Sequence, residues 1–451
     1  MPVIDQEVIG YYKCPEAYGA CVVDAATESS SDFVQDAISF GKSSRSSSGQ
    51  GDPKFVTVPR LAGAVVDALR SERYVANPSP HGWKALWKQV RRSAYYALRP
   101  ALGVSVRRHL QRQALRDWSA IPFPHWPVDG TADQVFESFL ALSMQAHGVD
   151  SIPFIWFWPE GHPSCCIMTH DIETAAGVKA CDDLMDLDGG IGLAASFQAV
   201  PEGRYEVTER SLARIRNRGF EVNVHDLNHD GRLYDDRDEF LRRAEKINQY
   251  VSRYGAKGFR SAVLYRNVDW YDAYNFAYDM SVPNVAHLDP QRGGCCTIRP
   301  YFIGNIVELP LTTTQDYSLF HILDTYSLDL WKQQANYIIQ HNGLLSFNIH
   351  PDYLATPPAR EAYSSLLDFL AALRQAGRTY FALPGEVQTW WRERQQMKLV
   401  YEAEQWRVTG PGSERAVVAY ATANENGLSY SFDCPRQSLV SSTSEQTPSF
   451  S

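Results

Sequence analysis

The stretch Cys165-Cys166-Ile167-Met168-Thr169-His170-Asp171-Ile172-Glu173 is an apolar run that turns ionisable at its end. Further along, Phe220-Glu221-Val222-Asn223-Val224-His225-Asp226-Leu227-Asn228-His229 repeats the design. Short apolar runs that finish in ligating side chains read as strands of a parallel sheet, buried on both faces, with the chemistry past their carboxyl ends. Working outward, similar runs occur at LAASFQAV (193–200), GFRSA (258–262), IVELP (306–310), LLSFNI (344–349) and YFALP (380–384). Apolar residues at helical spacing fill 208–217, 237–254, 327–341 and 359–375 between them. Strands alternating with helices predict an α/β fold, a distorted (β/α) barrel of about seven parallel strands.

The flanks read differently. Residues 1–160 form a mostly helical N-terminal extension, with helices expected over 60–72 and 131–147. A Ser/Gly-rich flexible loop occupies 42–52, and Ile121–Pro127 and PFIWFWPEG (153–161) are rigid aromatic connectors. The barrel is assigned to 161–395. Period-two alternation in 396–436 predicts a small antiparallel β appendage, and the Ser/Thr-rich 437–451 is expected to be disordered.

Composition narrows the function. Hydrophobic residues make up 44% and charged residues 21% of 451, which suits a soluble globular chain with core for more than one domain. A net charge of −9 argues against nucleic acid as a partner. The first residues lack a basic and then apolar signal pattern, and no run approaches the ~18 apolar residues of a spanning helix. Adjacent cysteines at 165–166 and 295–296 are poorly placed for disulfides, so a reducing, cytoplasmic setting is expected. Against the acidic whole, 84–116 carries Lys84, Lys88, Arg91, Arg92, Arg99, Arg107, Arg108, Arg112 and Arg116 among aromatic residues. It reads as a solvated helical face docked on the acidic remainder, or as a contact for an anionic surface.

Strand-end placement gathers the chemistry at one mouth. His225 and His229, spaced H-x-x-x-H, can chelate one metal from a helical turn or a tight loop. Of Asp171 and Glu173, one carboxylate can ligate the metal while its neighbour takes a proton from the attacking water. Arg260 would brace the base carboxylate. His350, ending LLSFNI, can protonate a leaving group, and Asp316 can orient that imidazole. The Gly-containing segment 278–296, with Asp279, Asp289 and Arg292, is expected beside the same mouth.

Taken in order, Thr169-His170-Asp171-Ile172-Glu173, His225-x-x-x-His229, Phe259-Arg260-Ser261 and Ser346-Phe347-Asn348-Ile349-His350-Pro351 resemble the polysaccharide deacetylases of carbohydrate esterase family four, the NodB-homology domain. The resemblance spans about Cys165 to Gly385. It implies a metal-dependent hydrolase, most often a zinc enzyme, removing acetyl groups from N- or O-acetylated sugars or glycans. It also implies Asp171 as base, His225, His229 and Glu173 as metal ligands, Arg260 as the brace and His350 as the acid. Two positions depart from the family pattern. Ile172 separates Asp171 from Glu173 where adjacent aspartates are common, and Ala262 replaces a proline two residues after Arg260. Two other readings stay open: a metal-dependent hydrolase of small cyclic amides on the same barrel, and a degenerate, non-catalytic glycan-binding module.

Overall fold

The computed structural model describes residues 3–4, 6–21, 62–75, 104–424 and 427–433. The loop at 42–52, most of the basic segment and the C-terminal tail lie outside these residues. In chain order the N-terminal part contributes β1 (Val3–Ile4), α1 (Gln6–Tyr12), β2 (Ala20–Cys21), α2 (Ala62–Arg70), α3 (Val104–Leu115), α4 (Thr131–His147) and β3 (Ser151–Ile155). The α/β unit follows as β4 (Cys165–Ile172), α5 (Ala175–Gly190), β5 (Ala195–Ala199), α6 (Glu209–Asn217), β6 (Glu221–His225), α7 (Arg237–Tyr254) and β7 (Gly258–Arg260). It continues through β8 (Tyr278–Asp279), β9 (Tyr301–Ile303), β10 (Ile306–Glu308), α8 (Asp329–Gln340), β11 (Leu344–Ile349), α9 (Pro357–Gln375), β12 (Tyr380–Phe381) and α10 (Pro384–Gln396). Strands β13 (Lys398–Glu402), β14 (Gln405–Thr409), β15 (Val418–Asn424) and β16 (Gly427–Ser431) end the described chain.

One nine-stranded sheet runs β11-β4-β5-β6-β7-β8-β10-β9, with β12 also paired to the start of β4. Every pairing is parallel except β10 with β9. The sheet curls without β11 meeting β9, so it forms a half-barrel. This matches the expected fold class, with helices before it and small antiparallel sheets after it.

Alternation along β4 explains how an almost wholly apolar strand can also build a site. Cys166, Met168 and Ile172 join the core shared with α5, α7, α8 and α9. Cys165 and Ile167 point the other way, into a core shared with the aromatic residues of α1, α4 and β3. Thr169 and Asp171 continue that second, inner face toward the mouth. The register of β11 on β4 aligns Leu344 with Cys165 and Asn348 with Thr169, so β11 runs from apolar to polar on the same face. Adjacent Cys165 and Cys166 therefore enter opposite cores as buried free thiols.

Local signals set the helices. Thr174 Oγ1 accepts the Gly177 N–H at 3.1 Å to cap α5, Thr208 and Ser211 form a reciprocal capping box at α6, and Asp236 caps α7, which ends at left-handed Gly255. Residues 151–155, within and beside the stretch read as a connector, are instead β3, the edge strand of a β16-β15-β3 sheet. An edge position tolerates Pro153, which has no N–H to donate. The extension is tied to the barrel by buried polar contacts. Asp133 of α4 accepts from Tyr11 Oη at 2.7 Å and from the Ile298 N–H at 2.9 Å, and lies 3.5 Å from the Arg299 guanidinium. Glu72 pairs with Arg266.

The C-terminal sheet reaches α4 through Tyr430 Oη, which donates to Glu137 Oε1 at 3.3 Å. Burial pushes the Glu137 carboxyl up to about 7, against the pull of Arg299. An acid that holds its proton more tightly folded than unfolded loses stability as pH rises from its unfolded value to its folded one. Glu137→Gln should therefore raise Tm at about pH 8 by roughly 2 °C or more, and by less at about pH 5. Thermal melts at the two pH values check this, and an equal shift at both would contradict it.

Candidate metal centre

Four strand ends supply the site. Asp171 is inside β4 and Glu173 just beyond it, His225 closes β6, Arg260 closes β7, and His350 follows β11. All but Glu173, which is partly accessible, are buried. The structure brings several of these side chains close together. Glu173 Oε1 lies 2.9 Å from His229 Nε2, 3.9 Å from His225 Nε2 and 3.5 Å from His350 Nε2. Asp171 Oδ2 lies 3.7 Å from His225 Nε2 and 3.9 Å from His350 Nε2.

The histidine pair is carried by a tight loop, not a helix. Asp226 and His229 adopt left-handed φ values of 54° each, a conformation that costs non-glycine residues energy. The Asp226 N–H donates to the Arg260 carbonyl at 2.8 Å, and the Asp226 carboxylate accepts from the Leu227 N–H at 2.7 Å. These bonds hold the turn that aims His229 back toward His225, whose rings then sit 4.7 Å apart.

Glu173, His225 and His229 can each offer a ligand atom, all within 4.8 Å of one another. The donor set fits a divalent ion. His225 Nδ1 lies 3.0 Å from the Arg260 carbonyl, which fixes that nitrogen as the donor and leaves Nε2 free to ligate. His225 Nε2 and His229 Nε2 are both buried without a hydrogen-bond partner among the described residues. Buried imidazole nitrogens left unmatched beside a carboxylate are what a metal would satisfy.

Around this triad the other groups are held firmly. Arg260 Nη1 donates to Asp171 Oδ1 at 3.0 Å and to Thr169 Oγ1 at 2.7 Å, and Asn348 Nδ2 donates to Asp171 Oδ2 at 2.8 Å. His350 Nδ1 lies 2.6 Å from Asp316 Oδ1, while the His350 N–H donates to Asp316 Oδ2 at 2.7 Å. Arg204 Nη2 donates to the His229 carbonyl at 2.6 Å and lies 3.0 Å from His229 Nδ1. Thr169, Asn348 and Arg204 were not among the residues singled out from sequence. Thr169 and Asn348 carry a readable signal, since they share the inner parity of Asp171; Arg204 has none, because its approach depends on a loop.

Charge follows from these contacts. Burial works to raise the Asp171 carboxyl, yet Arg260, His225, His350 and the Asn348 bond outweigh it and bring it to about 2. Burial opposes ionisation of Glu173 too, but His229, His225 and His350 hold it well below the usual carboxylate range. Burial would lower His350, whereas the Asp316 carboxylate beside it, with Glu173, lifts it well above an ordinary histidine. The site thus contains two ionised carboxylates and a proton-bearing imidazole at one mouth.

Part of the segment 278–296 stands apart from this mouth. Asp279 is fully buried in β8, bonded to Tyr271 and Ser281. From the basic segment, α3 is described: Arg112 donates to the His321 carbonyl at 2.8 Å and pairs with Asp324 at 2.9 Å.

No protein-family model matches the sequence, and no curated protein sequence matches it. Solved structures are distantly similar over about half of the chain. A Mycobacterium smegmatis protein assigned as a polysaccharide deacetylase is 15% identical, with a TM-score of 0.41, covering 53% of this chain and 93% of its own. PuuE allantoinase is 11% identical, with a TM-score of 0.40, covering 52% and 92%. A family 4 acetyl xylan esterase from Clostridium thermocellum, solved with a cobalt ion, is 15% identical, with a TM-score of 0.32, covering 50% and 91%.

Removing a ligand should abolish binding, not merely weaken it. His225→Ala is expected to reduce divalent-metal affinity by more than about 100-fold, beyond the cost of losing an outer-shell contact. Metal content after dialysis against a defined free-ion concentration measures this. A variant that keeps the wild-type stoichiometry would show that the ion sits elsewhere.

Proposed function

We propose that this protein is a metal-dependent hydrolase that removes acetyl groups from N- or O-acetylated sugars or glycan precursors, with Zn²⁺ as its metal. The observation that supports this best is the placement of Asp171 and His350 beside the Glu173–His225–His229 triad, each within 4 Å of a triad atom. A base and an acid beside one ligand set is an arrangement suited to acyl hydrolysis.

Glu173, His225 and His229 would hold the ion, which when bound supplies Lewis-acid polarisation of the acyl carbonyl. Two imidazoles and one carboxylate suit zinc and leave a position open for substrate. Asp171 is the general base. Arg260 and Asn348 each occupy one of its oxygens, so the carboxylate is held in one orientation and is ionised before it takes a proton from the attacking water. Deprotonation of the water turns it into the nucleophile that adds to the acetyl carbon. His350 is the general acid. Asp316 anchors Nδ1, so Nε2 points into the site and delivers its proton to the departing amine or alcohol as the C–N or C–O bond breaks. Acetic acid and the free sugar leave, and the proton that Asp171 took is given up and restores His350, so both groups return to their starting states.

His350→Ala should keep its metal and lose turnover by about 10²–10⁴-fold, the usual worth of a positioned acid. Acetate release from acetylated chito- and xylo-oligosaccharides, set beside metal content, measures both. Wild-type turnover in His350→Ala would remove the acid from the scheme. Metal-loaded wild type that releases no acetate from any acetylated sugar would overturn the proposed activity.

A further inference from the structure

Asp279 and Glu308 are buried acids for which the proposed reaction has no direct use. Both are 0% exposed. They occupy neighbouring parallel strands in register, Glu308 opposite Asp279, so their side chains emerge on the same face. Their carboxyl groups therefore lie side by side in the core. Two carboxylates cannot bond to each other without a proton between them. Glu308 Oε2 has no hydrogen-bond partner among the described residues, which leaves it as the oxygen free to carry that proton.

The remaining oxygens lead back to the site. Asp279 Oδ1 accepts from Ser281 Oγ at 2.7 Å, and the same Ser281 Oγ accepts the Ser261 N–H at 2.8 Å. Glu308 Oε1 accepts the Val282 N–H at 3.0 Å. Asp279 thus holds the Ser281 side chain, and Glu308 holds the backbone at Val282. The Met280 carbonyl in turn accepts from Arg260 Nε at 3.0 Å. Ser261 directly follows Arg260, so the arginine is held from its side chain and from its next peptide by one short segment.

We propose that Asp279 and Glu308 share one proton and act as a positioning pair, fixing Met280–Val282 and thereby the orientation of Arg260 against Asp171. This rests on the reading of Asp171 as the base of a hydrolase. Neither acid touches substrate or metal; the pair acts through Arg260.

The surroundings favour retention of the proton. The groups facing the pair are Arg260 from β7, Tyr271 and Tyr274 from the turn before β8, Tyr234 from the loop before α7, Cys295, and Tyr301 of β9. Burial raises the four tyrosines and the thiol, so they stay neutral and Arg260 is the one cation among them. Burial, and for Glu308 the charge of Asp279, pushes both carboxyl groups above the ordinary range. Stability that depends on a retained proton falls as pH climbs above the unfolded carboxyl values.

Two measurements test the pair. In thermal melts of metal-free protein, Glu308→Gln should gain stability relative to wild type as pH rises from about 6 to about 9, because the amide bridges Asp279 without a proton to lose. A difference independent of pH would overturn the shared proton. In metal-loaded protein, Glu308→Gln should keep kcat within about threefold, while Ser281→Ala and Glu308→Leu should lower it about tenfold or more with KM and metal content unchanged. Ser281→Ala breaks the chain while leaving both acids in place, so it answers for positioning if Glu308→Leu fails to fold. Wild-type kcat in Ser281→Ala, or a loss of metal in step with activity, would overturn the positioning role. Absence of turnover in wild type would count against the hydrolase reading alone, since the melts judge the proton without it.

Discussion

The buried contact between Arg260 and Asp171 is the constraint on which the mouth depends. Asp171 Oδ1 and Arg260 Nη1 meet at 3.0 Å with both side chains almost wholly shut off from water. Bringing two charges into such a place is costly, and leaving either one there alone costs more. The pair therefore fixes β4 against β7, with two strands between them in the sheet, and the curl must bring those ends together. The same arginine's carbonyl receives the Asp226 N–H and lies beside His225 Nδ1. One residue thus holds Asp171 through its side chain and the histidine loop through its backbone.

The curl has a second requirement. A half-barrel exposes an inner face that water would reach unless something fills it, and in this chain the filling comes from the aromatic residues of α1, α4 and β3. Tyr11, Tyr12, Phe136, Phe154 and Phe157 pack against Ile167, Tyr278 and Val307 below the site. The N-terminal region therefore completes the core of the sheet. Its polar ties, Asp133 near Arg299 and Glu72 with Arg266, sit where loops of the sheet meet it.

Much of this was legible in the residue pattern, for definite reasons. Buried parallel strands are continuous apolar runs, so β4, β5, β6 and β11 stand out, and amphipathic spacing marks α7 closely. Helix α5 escaped because Ala175–Gly190 mixes alanine, glycine and aspartate with few large apolar residues. Strand β3 was hidden by Pro153, which an edge position accommodates. The site residues that end strands were readable; those that reach it across the fold were not. Arg204 meets His229 only because the loop after β5 folds back, and Asp279 looks like a mouth residue until the register of β8 and β10 turns it toward Glu308. Spacing alone left His225 and His229 on either a turn or a loop, and the left-handed residues at 226 and 229 decide for the loop.

The central claim is that Glu173, His225 and His229 together hold one divalent ion. X-ray absorption at the zinc edge of the loaded protein tests it most directly, because it reports the donor atoms whatever the substrate turns out to be. The account expects a shell of light donors containing two imidazoles. A sulfur-containing shell, or a zinc site without imidazole, would contradict it.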